Sequence, residues 1–234
     1  MNQIEQFRLA AICLEHLSSE GFCLKQTSSP LLARQWIAEV GKSYLTPFLD
    51  PENNDFTERN HFWLSLQKDG RAVLIGGARF DVLEGEPITE FWRRTNRRNY
   101  KVGAEDPVQT FSPLCDDAIV GRVVYLGDMY GIPEVRGSVN RLRCFLAIAH
   151  LAVMSKWAPD TIYAFMRQGD MDRGADRNYG FLNAIPAAQV WAYKAPHRAS
   201  SEWCVYNRKT ELGHAVVALV ERIVREIAKG AARD

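Results

Sequence analysis

Residues 125–142 read YLGDMYGIPEVRGSVNRL. An alternating apolar run leads into them, with Val120, Val123, Val124 and Leu126 at the period of a strand, so Ile119–Met129 is expected to be extended. The segment GIPEVRGS follows and reads as a tight turn around Pro133. Beyond it, Leu142, Phe145, Leu146, Ala149 and Val153 recur at the spacing of one helical face, which predicts a helix over 138–157. Thr161–Met166 is a short apolar run and reads as a buried strand. Strand, turn, helix and strand in this order form the crossover that joins parallel neighbours, and such a pair must be covered on both faces.

The turn also suggests chemistry. The first turn of a helix leaves about four backbone N–H groups unpaired at the positive end of the dipole, which suits an anion. Arg136 adds a fixed charge, and Gly137 lets a ligand approach the backbone. That suits a pyrophosphate, and Met129, Tyr130, Gly131, Arg136, Gly137, Ser138, Val139, Asn140 and Arg141 are candidate cofactor-binding residues. The same spacing also describes an ordinary strand-to-helix turn capped by Ser138.

Outward from this segment, residues 2–19 place Ile4, Phe7, Ala11 and Leu14 on one helical face, and Gly21 stands at the position of a C-terminal cap. Phe22–Lys25 is a short strand, residues 31–44 a helix, and 45–60 a loop. His61–Gln67 and Arg71–Val82 form a hairpin around Lys68-Asp69-Gly70. Residues 87–101 read as a helix and 103–118 as a polar connection. Gly169–Tyr179 is a short helix ending at Gly180-Phe181. Gln189–Lys194 and Trp203–Asn207 are expected to form a second hairpin, with His197-Arg198 at its tip. Residues 210–229 close the chain as a long helix, with Leu212, Val216, Leu219, Val220, Ile223 and Ile227 on one face.

The composition fits an ordinary globular protein. The 234 residues carry 29 Lys plus Arg against 28 Asp plus Glu, so a uniformly basic nucleic-acid coat is excluded, although a local patch is not. Five cysteines with no C-x-x-C pair argue against a disulfide framework or a structural zinc site, and the histidines show no metal spacing. No signal peptide is apparent, and Leu142–Ala158 is too short and too charged to span a bilayer, so a cytoplasmic protein is expected.

Taken together, Met129–Gly137, the strand 161–166, Gly180-Phe181 and Ile75-Gly76-Gly77-Ala78-Arg79 resemble the GNAT acyltransferase superfamily over roughly residues 22–208. That resemblance implies a mixed α/β fold: a mostly antiparallel sheet with a central parallel pair, flanked by helices. Helical additions at 1–21 and 209–234 would frame the 22–208 domain. It also implies acetyl-CoA or another acyl-CoA as co-substrate, a small-molecule acceptor and no metal. The pantetheine arm would lie where the two parallel strands splay apart, with a backbone N–H near Gly131 polarising the thioester carbonyl. Asp128, or Glu134 in the turn, would be the base, and Tyr179 the nearest tyrosine able to protonate the leaving thiolate. Two family loop glycines fall on Val139 and Arg141, where Asn140, Arg141 or Arg143 stand to compensate, and the family's tyrosine position falls on Asp176. On this view Arg136→Glu should weaken coenzyme A binding at least about tenfold in a titration, because one charge-assisted contact is worth ~1.5–3 kcal/mol.

Two alternatives keep the fold. One is an enzyme resembling acyl-homoserine-lactone synthases, taking its acyl group from an acyl carrier protein docked on Arg93, Arg94, Arg97 and Arg98. The other is a non-catalytic GNAT-like module that binds a ligand or partner. The stripe of the last helix is expected to pack or to form a homodimer.

Overall fold

The computed structural model describes residues 1–100, 105–136 and 138–231, without the side chains of Arg136, Gly230 and Ala231. Its centre is built from the hairpin of β2 (His61–Lys68) and β3 (Arg71–Val82). Asp69 and Gly70 both adopt positive φ, 51° and 77°, the backbone twist that a two-residue hairpin turn requires. β1 (Cys23–Thr27) pairs antiparallel with β2, and β5 (Arg122–Gly131) pairs antiparallel with β3. After a single helical turn, α5 (Pro133–Arg136), the helix α6 (Val139–Trp157) crosses over to β6 (Thr161–Met166), which runs parallel to β5. β9 (Trp203–Arg208) adds antiparallel to β6, and β7 (Asn183–Ile185) closes the edge. The sheet order is β1-β2-β3-β5-β6-β9-β7, mostly antiparallel with one parallel pair at its centre.

One face of the sheet is covered by α6, by α1 (Gln3–Ser19) and by α9 (Lys209–Ala231), around Phe62, Leu126, Phe145, Ile162 and Val216. The other is covered by α2 (Pro30–Glu39), α3 (Ile88–Tyr100) and a small second sheet, around Trp63, Trp92, Tyr125 and Tyr163. That second sheet pairs β4 (Val108–Phe111) with β8 (Gln189–Trp191). Its first strand, and the short helix α4 (Leu114–Ala118), lie in the stretch expected to be a polar connection. Its second strand reads from sequence as the partner of Trp203–Asn207. Instead β9 takes β7 and β6 as partners, and the loop 192–202 is left to fold over the sheet. The short helix expected at 169–179 is two separate turns, α7 (Gln168–Met171) and α8 (Ala175–Asn178). The helix expected over 31–44 stops at Glu39, which frees residues 40–50 to cross the sheet's open end.

The terminal helices differ in how they use their apolar faces. On α9, Leu212, Val216, Leu219, Val220 and Ile223 are buried against α6, α1 and β9, whereas Ile227 is exposed. On α1 it is Cys13 and Leu17 that are buried, and Ile4, Phe7, Ala11 and Leu14 face solvent. Burial of the α9 stripe inside its own chain sets an expected result. Val220→Asp places an unpaired charge in the core at a cost of several kcal/mol, so a circular-dichroism melt of the variant should show a greatly lowered or absent transition.

Two features at the centre of the sheet open a gap in it. First, β5 carries a bulge. Ile75 faces Tyr130 and Gly77 faces Gly127, so the single residue Gly76 lies opposite both Asp128 and Met129. Asp128 takes the extra turn with φ 54°, a left-handed conformation that Asp tolerates better than most side chains. A Cβ at Gly127 would sit about 2.5 Å from the Tyr125 ring, so the strand passes that ring only because the residue is glycine. Second, the parallel pairing of β5 with β6 ends at Tyr125 and Tyr163, although both strands continue. The pair parts from there on.

Candidate active site

A cavity of about 260 Å³ occupies the parting and passes from one face of the sheet to the other. On the α6 side its walls are apolar. Phe62, Leu64 and Ala78 come from the hairpin, Leu126 from β5, Phe145, Leu146 and Ala149 from α6, and Ala164 and Met166 from β6. Tyr179 and Phe181 line the same side. His150 Nε2 lies 3.0 Å from the Tyr179 carbonyl, to which its N–H donates. Burial pushes this imidazole down to about 4, so it is neutral and acts as a fixed strut beneath the Tyr179–Phe181 turn.

On the opposite side the walls are charged. Lys42, Tyr44 and Thr46 reach in from the segment after α2, and His197, Arg198 and Glu202 from the loop before β9. Lys42 Nζ lies 2.7 Å from Asp128 Oδ1, with both side chains almost fully buried. The Thr46 backbone N–H donates to both oxygens of Asp128 at 3.1 Å, and its hydroxyl donates to Oδ2 at 2.7 Å. The bulge of β5 is thus tied to residues 42–46 through one carboxylate. Above it the Tyr44 and His197 rings stack 3.5 Å apart, 4° from parallel. The Arg167 guanidinium donates to the Tyr44 hydroxyl at 3.1 Å.

Arg198 and Glu202 form a second pair of a different kind. Arg198 Nε lies 3.0 Å from Glu202 Oε2, and their side chains are 3% and 10% exposed. The approach lacks hydrogen-bond alignment: Arg198 Nε and Nη2 and Glu202 Oε2 have no hydrogen-bond partner among the described residues. The guanidinium stacks on the Phe165 ring, 4.3 Å from its centroid, and lies 5.6 Å from that of Trp191. Phe165 stands on β6 two residues beyond the last paired position, which brings Arg198 to the edge of the parting. Burial raises the Glu202 carboxyl above its ordinary value, against the opposing pull of Arg198 and Arg167.

The residues singled out from the sequence divide into two groups. Asp128, Met129, Tyr130 and Tyr179 all line the cavity, whereas Asp176 and Glu134 do not. Gly131 is buried opposite Leu74, one residue beyond the lining. Ser138 caps α6, accepting from the Arg141 N–H at 3.4 Å, and Val139 is exposed. Asn140 accepts from Arg143 at 3.2 Å. Arg141 is paired with Glu20, the residue that caps α1, and Arg143 with Glu226 of α9 at 2.8 Å. Gly137 and the side chain of Arg136 lie outside the described residues.

On α3, Arg93 and Arg97 share Asp106, Arg94 pairs with Glu86, and Arg98 donates to Asn54. All four arginines of the basic stretch thus have partners within the fold, while Lys101 lies outside the described residues. Among the described residues no group of three or more His, Cys, Asp or Glu stands where it could hold a metal ion, and no helix is long and apolar enough to cross a membrane.

No protein-family model matches the chain, and no curated protein matches it. Solved structures do match. The chain is similar to GNAT acetyltransferases. A mutant agmatine N-acetyltransferase in its apo form is 13% identical, with 80% of this chain and 99% of that one covered, at a TM-score of 0.49. Arabidopsis thaliana NAA60 in complex with acetyl-CoA is 9% identical over 80% and 98%, at 0.47. The CoA-dependent acyl-homoserine lactone synthase BjaI, with MTA, is 12% identical over 87% and 90%, at 0.44. Scores this low add no weight to a functional assignment, which rests on the cavity. Sequence reasoning singled out neither Lys42 nor Glu202. Glu202 stands alone in ASSEWC with no motif around it, and only the fold of the 192–202 loop brings it to β5.

Proposed function

We propose that this chain is an acyltransferase that moves an acyl group from an acyl thioester, acyl-CoA in the first instance, to an amine. The observation that carries this reading is the cavity through the parted β5–β6 pair, apolar on one side of the sheet and charged on the other. The thioester enters from the α6 side, where apolar walls take the acyl chain and the pantetheine arm. The amine enters from the charged side. The two substrates meet at the bulge, where β5 has lost its parallel partner and a backbone N–H of residues 126–129 polarises the thioester carbonyl.

The transfer balances in bonds and protons. The amine lone pair attacks the carbonyl carbon and forms the C–N bond. The C–S bond breaks and its electron pair leaves with sulfur. Glu202 takes the proton from the amine, and Tyr179 supplies one to the thiolate. Glu202 suits the role of base better than Asp128, because both Asp128 oxygens are already held by Lys42 and Thr46. Asp128 instead locks the bulge in place.

The pyrophosphate of coenzyme A is assigned to the first turn of α6 and to Arg136. A second reading, a carrier-protein donor, is favoured by the engagement of Arg141 with Glu20 and of Arg143 with Glu226, which removes two cations from the phosphate end. Incubation with acetyl-, butyryl- and octanoyl-CoA and a panel of primary amines, followed by free-thiol release and mass spectrometry, tests the first reading. Amide product with stoichiometric thiol supports it. Transfer from the corresponding acyl carrier proteins alone supports the second, and no transfer from either donor removes both.

A further inference from the structure

The charged end of the cavity contains an unmet demand. A guanidinium and a carboxylate form an ion pair, each nine-tenths or more buried, yet Arg198 Nε and Nη2 and Glu202 Oε2 have no hydrogen-bond partner among the described residues. Leaving buried charged groups unsatisfied costs more than the ~1–3 kcal/mol of a neutral one, so native structures rarely keep them without a purpose. The neighbouring pair shows the contrast: Asp128 is met by one ammonium and two Thr46 donors, in the same cavity.

We infer that Arg198 and Glu202 together form a subsite for a zwitterionic acceptor, an α-amino acid or a small molecule carrying an α-amino acid group. The inference rests on the acyl-transfer reading for the role of the amine, but not for its binding. Three constraints lead to it. The guanidinium offers planar paired donors, the geometry that a carboxylate satisfies in bidentate fashion. Glu202 offers an oxygen to an ammonium. The two protein charges are only 3.0 Å apart, so a ligand that meets both must carry its own opposite charges equally close together. In an α-amino acid the nitrogen and the carboxyl carbon are bonded to the same atom. A diamine, or an acid whose amine is several atoms away, leaves one partner unmet.

The surroundings agree. Phe165 and Trp191 hold the guanidinium by its face, which fixes its plane. Lys42 does not compete for the carboxylate, because Asp128 neutralises it. The cavity volume of about 260 Å³, shared with the end of the thioester, leaves room for a small acceptor and none for a folded one.

The test measures binding without an acyl donor, so that it stands apart from catalysis. Glycine, L-leucine, L-methionine and L-phenylalanine, and their carboxamides, are titrated into the wild-type protein by ligand-observed NMR and calorimetry. At least one of these amino acids should bind, and its carboxamide should bind at least tenfold more weakly. Arg198→Met should abolish the preference for the acid. If Arg198→Met does not fold, Arg198→Lys, which keeps the charge but not the paired donors, should reduce the preference. Equal affinity for acid and amide in the wild type, no binding of any amino acid, or an unchanged preference in a folded Arg198 variant would overturn the inference. Acid-selective binding with no acyl transfer to any amine from either donor would remove the reading of the previous subsection and leave the binding of an α-amino acid standing.

Discussion

Glu202→Gln should lower the rate of acyl transfer by roughly 10²–10⁴-fold, the usual contribution of a positioned proton acceptor, and should also lower the melting temperature, because it leaves the buried Arg198 guanidinium without its counter-charge. Gln has the same shape, so the loop before β9 keeps its backbone turn, in which Glu202 N–H donates to the Ala199 carbonyl at 3.1 Å. What changes is that the amide cannot take the proton of the attacking amine. The pH profile carries the more specific signature. The base works only when ionised, so the wild-type rate rises with pH as Glu202 loses its proton. Burial raises that carboxyl, so this acidic limb should lie above the ordinary carboxylate range. The variant should lack the limb and keep the later one that belongs to the amine's own deprotonation. A steady-state pH series on both proteins decides the matter, and an unchanged profile in Glu202→Gln would assign the proton to another group.

How far the sequence alone leads can be seen by comparing Tyr179 with Glu202. The strand, turn, helix and strand of 119–166 have strong periodicities, and the structure reproduces them to within a few residues. The parallel pair, the hairpin around Asp69-Gly70 and the closing helix follow from the same local signals, because period and turn chemistry act over a few residues. Asp128, Met129, Tyr130 and Tyr179 sit on or beside those elements, and the cavity contains all four.

Long-range pairing was not legible. β8 is three residues long and reads as the partner of the next strand in sequence, yet it pairs with β4, some eighty residues earlier. With that partner taken, the 192–202 loop is free to carry His197, Arg198 and Glu202 over the β5–β6 parting. The burial of the α9 stripe against α6 and α1 rather than a second copy is likewise a tertiary fact, since the stripe itself shows only that one face is covered. Charge neutralisation is equally invisible. FWRRTNRRNYK reads as a run of bare cations, and the acids that meet them, Glu86 and Asp106, arrive from flanking loops.

Lys42→Met should destabilise the protein by about 3–5 kcal/mol, the cost of removing one member of a buried ion pair and leaving the other uncompensated. Neither side chain has an escape route. Lys42 is 4% exposed and Asp128 not at all, and Asp128 stands in the left-handed turn of the bulge. Thr46 supplies hydrogen bonds but no charge, so it softens the loss without cancelling it. For a chain of this size the expected fall in the melting temperature is roughly 6–20 °C. Asp128→Asn should also destabilise, because it strands the ammonium, although Asn keeps both the Thr46 contact and the tolerance for the left-handed backbone. The double variant Lys42→Met/Asp128→Asn contains no buried charge at this place and should recover most of the loss. That recovery is the result the ion-pair argument specifically requires. If the two single losses simply add in the double variant, the residues contribute through packing alone, and the carboxylate does not tie the bulge of β5 to residues 42–46.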